Sequence, residues 1–156
     1  MRPASGLSGN RRSMALRGPS LERREYERRR VRLCEMMGEE AIAILPSAPI
    51  AHRNRDIEFA FRQDSDFLYL AGFPEPEAVA VLLPNRAHGS FLLFCRERGA
   101  DSELWVGAHA GLDEACSVFG ADDAFPIADL DDILPGLIEE RRRVFYSMGS
   151  NPEFDQ

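Results

Sequence analysis

The chain has 156 residues, 44% hydrophobic and 9% aromatic, the size and composition of one globular domain with a buried core. Its formal charge of −7 conceals a division: residues 1–32 hold ten Arg against three Glu, the remainder nine Arg against 23 acids, and there is no Lys. The acidic body excludes phosphate-driven nucleic-acid binding by the folded part, and no apolar run is long enough to span a membrane as a helix.

Residues 1–19 are rich in Arg, Ser and Gly, lack any acid and show no apolar periodicity. They read as a disordered tail outside the fold: a transit peptide, or an overlong gene start with Met14 as the initiator instead of Met1. Ser20 then caps a predicted helix that runs to about Met37, where Gly38 stops it. Tyr26, Leu33 and Met37 share one face and should lie on a sheet, while the run Arg28-Arg29-Arg30 with Arg32 reads as a solvated face beside Glu22, Glu25 and Glu27.

The continuous apolar run Ala41-Ile42-Ala43-Ile44-Leu45, closed by Pro46, predicts a strand buried on both faces. A long polar connection from Ser47 to Asp66 carries Arg53, Asn54, Arg55, Asp56 and Arg62. Strands are predicted at Phe67–Ala71, Ala78–Leu83 and Ser90–Cys95, joined by Gly/Pro turns into a meander, with a fifth at Glu103-Leu104-Trp105-Val106-Gly107. A helix over 112–119 stopped by Gly120 follows, then a second helix capped by Asp129 and carrying Ile133, Leu134, Leu137 and Ile138. Pro135 inside it implies a kink or a tight first turn. A last strand covers 143–148, and residues 151–156 begin a connector. The order predicts an α/β domain over 20–150: a mixed sheet of about five or six strands flanked by helices.

Little of this resembles a catalytic centre. His52, His88 and His109 are isolated, and no HExxH, GxSxG or phosphate loop is present. Asp64-Ser65-Asp66 offers two carboxylates that would share a cation from a strand. With Arg53, Arg55 and Arg62 nearby they read instead as groups that accept backbone N–H bonds and pair with Arg. Cys34, Cys95 and Cys116 are far apart in apolar surroundings, as free thiols in a reducing cytoplasm would be. Trp105, the only Trp, reads equally as a core residue or as an aromatic presented at an interface.

The run from Arg62 to Ala78, with Asp64, Asp66, Tyr69, Gly72, Glu75 and Pro76, closely resembles the signature of the N-terminal domain of aminopeptidase P, the Xaa-Pro aminopeptidases. The Arg-rich first helix, the Arg53–Asp56 run and the strand around Trp105 extend that resemblance from about residue 20 to the C-terminus. Creatinase and prolidase have related N-terminal domains. The resemblance implies enzymes that release the residue preceding a proline, with two divalent cations, typically Mn, held by a separate C-terminal domain. It implies homo-oligomers in which the residue matching Trp105 reaches a neighbouring subunit's substrate pocket. No metal ligand and no catalytic residue carries over, so this fragment alone is expected to be inactive. It would serve in oligomerisation and as a wall of the active site, in the cytoplasm and without nucleic-acid or membrane partners. The alternative is a standalone module that binds peptides or proteins.

Overall fold

The computed structural model describes residues 23–50, 52–54, 57–58, 61–98 and 110–147. The tail, Ser20, the strand around Trp105 and the connector lie outside the described residues, as do the side chains of Arg53 and Arg55.

Helix α1 spans Arg23–Met37 and ends at Gly38, whose φ of +83° suits glycine and whose N–H donates to the Cys34 carbonyl at 3.0 Å. Tyr26 and Met37 are buried and Leu33 packs against the core, as the spacing predicts. The Arg run departs from expectation at one position. Arg30 falls on the same stripe and is only 4% exposed, its guanidinium 4.0 Å above the Phe91 ring and its Nη1 donating to the Leu70 carbonyl. Its hydrocarbon stem serves the core, and burial pulls the guanidinium down to about 10.

Strand β1 (Ala41–Pro46) pairs antiparallel with β4 (Val79–Leu82), which pairs antiparallel with β5 (Phe91–Cys95). The short strands β2 (His52–Asn54) and β3 (Ile57–Glu58) form a separate two-stranded ribbon within the long connection. Strand β6 (Asp123–Pro126), absent from the sequence prediction, joins β5 in parallel after helix α3 (Gly111–Ser117). Strand β7 (Arg143–Tyr146) joins β1 in parallel after helix α4 (Leu130–Ile138). The mixed sheet therefore runs β6-β5-β4-β1-β7.

Period-two alternation divides its side chains between two cores. Ala41, Ala43, Ala80, Leu82, Leu93 and Cys95 face α1, α3 and the segment around Phe67 and Phe73. Ile42, Ile44, Val79, Val81, Leu92 and Phe94 face Leu130 and the apolar side of α4, including Ile133, Leu134, Leu137 and Ile138. Asp129 occupies the cap position of α4 without a side-chain cap bond, because a tight 3₁₀ turn at Ile127–Asp129 already leads into the helix.

The stretch predicted as the strand Phe67–Ala71 is a helix, α2, over Ser65–Ala71. Phe67 and Ala71, four apart, are buried while Tyr69 is 55% exposed, which is a helical pattern in an aromatic-rich segment. The caps decide it. Asp64 Oδ1 accepts the Phe67 N–H at 2.9 Å, and Gly72 closes the helix at φ +67°. The meander is therefore β1–β4–β5, with α2 inserted before its second strand.

Candidate functional site

The residues singled out in the sequence gather around the turn between α2 and β4. Gln63, just ahead of α2, organises it. Its Oε1 accepts the N–H groups of Ala48 at 2.8 Å and Asp64 at 2.9 Å, and its Nε2 donates to the carbonyls of Phe73 at 3.3 Å and Glu75 at 2.8 Å. One amide thus joins the start of the long connection, the start of α2 and the turn after it. Ser47 adds a second join: its N–H donates to the Ala78 carbonyl at 2.8 Å and its Oγ accepts the Ala78 N–H at 3.0 Å. Neither Gln63 nor Ser47 stands out in the sequence by chemistry. The available signal was a polar amide placed among prolines and apolar residues that need backbone partners.

Asp64 caps α2, and Asp66 is exposed in its first turn, so the two carboxylates do not stand side by side as on a strand. Among the described residues the partner of the Asp64 side chain is the Phe67 N–H, while the side chains of Arg53 and Arg55 lie outside them. Arg62 is exposed in the loop before the two acids. Tyr69 faces outward beneath the Arg29 guanidinium, 4.0 Å from its ring centre, and its carbonyl accepts from Arg29 Nη1 at 3.1 Å. Arg29 and Arg28 both pair with Glu25, and the Arg28 bond foremost holds that exposed carboxyl down at about 2. At Gly72 a Cβ would meet the Tyr26 ring at 2.8 Å, so α1 and the turn are in direct contact there.

Glu75 lies between Pro74 and Pro76 and is 6% exposed. Its Oε1 accepts the N–H of Ala110 at 2.7 Å, on the chain that returns after β5. Glu77, at φ +52°, pairs with Arg96 on the chain that leaves β5. Trp105 lies outside the described residues.

The chemistry here is that of a latch. Asp64, Glu75 and the Gln63 amide bind backbone groups and Glu77 binds Arg96, and among the described residues no three His, Cys, Asp or Glu side chains come together as metal ligands. The dinuclear centre that the resemblance implies therefore has no matching donor set among them. The three thiols are free, and burial raises all three, Cys95 to about 12. An open groove of about 550 Å³ lies between the start of α1, α3 and β6, bordered by Arg23, Asp113, Cys116 and Asp123.

Residues 26–146 match the family described as "Aminopeptidase P, N-terminal domain". Among solved structures, Pseudomonas aeruginosa aminopeptidase PepP is 61% identical with a TM-score of 0.83, over 86% of this chain and 30% of that one. The Xaa-Pro aminopeptidase of Escherichia coli strain K12 is 36% identical over 83% of this chain and 30% of its own length. A zinc-substituted E. coli aminopeptidase P in complex with product superposes with a TM-score of 0.82 at 34% identity, covering 88% of this chain and 31% of that one. The mitochondrial intermediate cleaving peptidase 55 of Arabidopsis thaliana is 38% identical over 85% of this chain and 26% of its own length. The chain thus spans under a third of each of these proteins.

Proposed function

This chain belongs to the family of aminopeptidase P N-terminal domains, and from that membership we propose that it is the non-metal-binding part of a proline-specific metalloaminopeptidase. The enzyme would release the N-terminal residue of peptides with proline in second position. Its two divalent cations, Mn by preference, would be held by the portion of the relatives that this chain does not cover, where they would activate water and polarise the scissile carbonyl. The described residues would hold structure: they join α1, α2 and the sheet, and Trp105 would stand as an apolar wall at the peptide site of a neighbouring subunit in a homo-oligomer.

The observation that carries this reading is the signature itself. Among the described residues, Gln63, Asp64 and Glu75 of the stretch with the strongest resemblance bind backbone groups and Glu77 pairs with Arg96, as scaffolding does, while its relatives are peptidases by name. Two features bear on partners. In the Arg run of α1, Arg28 and Arg29 pair with Glu25, Arg29 lies over Tyr69 and Arg30 is in the core, which supports a structural role for these three and not nucleic-acid contact. No helix among the described residues is long and apolar enough to cross a membrane. Three free thiols suit a reducing compartment, and we assign the cytoplasm.

The test is a fusion of this chain to the remainder of P. aeruginosa PepP, assayed on an Xaa-Pro peptide with Mn. Turnover by the fusion, none by the 156-residue chain, and a Trp105→Ala fusion with raised KM at nearly unchanged kcat support the reading. A fusion that folds and binds Mn yet cleaves nothing, or one indifferent to Trp105→Ala, contradicts it.

A further inference from the structure

We draw no further inference here: the strongest candidate, the edge strand β7 with its exposed Val144 and Phe145, carries none, because nothing among the described residues shows what covers it.

Discussion

The turn from Phe73 to Ala78 and the edge strand β7 treat their side chains in opposite ways. In the turn, polar groups are inside: Glu75 is buried and Gln63 takes four backbone partners, each group matched. In β7, apolar groups are outside: Val144 is 50% and Phe145 44% exposed, on opposite faces of a strand that pairs, among the described residues, with β1. The contrast teaches where specificity resides. A buried polar join tolerates one arrangement because each missing partner leaves an unsatisfied group, whereas an exposed apolar strand adds little to a fold that is already closed around β1.

Four changes sharpen or break that contrast. Gln63→Leu keeps most of the volume and strands two N–H and two carbonyl groups, so it should lower stability by about 3 kcal/mol or more in urea unfolding. A cost within about 0.5 kcal/mol would mean that water replaces the amide and the latch reading is wrong. Gly72→Ala should cost about 1–3 kcal/mol, since it combines a φ of +67° with a Cβ driven against the Tyr26 ring. Asp64→Ala, removing the α2 cap, should cost about 1 kcal/mol, with Asp64→Asn recovering most of it. At the other end, Val144→Thr with Phe145→Ser should stay within about 0.5 kcal/mol of the parent while reducing the binding of an apolar dye.

Alkaline pH probes the buried side in a second way. Burial first, then the neighbouring Glu75, push the Cys95 thiol up to about 12 from an ordinary 9.0. A thiol raised in the folded state contributes stability that is fully present below about pH 9 and is lost as pH climbs towards 12. Unfolding free energies across that window should therefore fall for the parent and fall less for Cys95→Ala. An unchanged slope would mean the thiolate is accommodated where it sits.

Much of the fold was legible because a short continuous apolar run closed by Pro or Gly leaves a strong mark. Ala41–Leu45 was readable as a strand buried on both faces, Ala78–Leu83 and Ser90–Cys95 as strands, and α1 and α4 as helices from their apolar stripes. Strand β6 was not: Asp123-Ala124-Phe125-Pro126 is too short and too mixed to signal anything, and it is the pairing with β5 that makes it a strand. Phe67–Ala71 misled because its aromatic alternation mimics a half-buried strand, while the deciding cap at Asp64 lies just outside it. Arg30 misled because charge says surface, whereas its stem and the Phe91 ring say core. The turn at Glu75 was visible as a signature, but its purpose was not, since the partner N–H belongs to Ala110, 35 residues away. A contact at that separation leaves no local pattern to read.

Metal content and turnover on the purified 156-residue chain most directly test whether its polar residues build a scaffold and no reaction centre. Equilibrium dialysis against Mn, followed by elemental analysis and an Xaa-Pro peptide assay, should return no stoichiometric metal and no cleavage. One or two tightly held ions per chain, with release of the residue ahead of proline, would contradict the account.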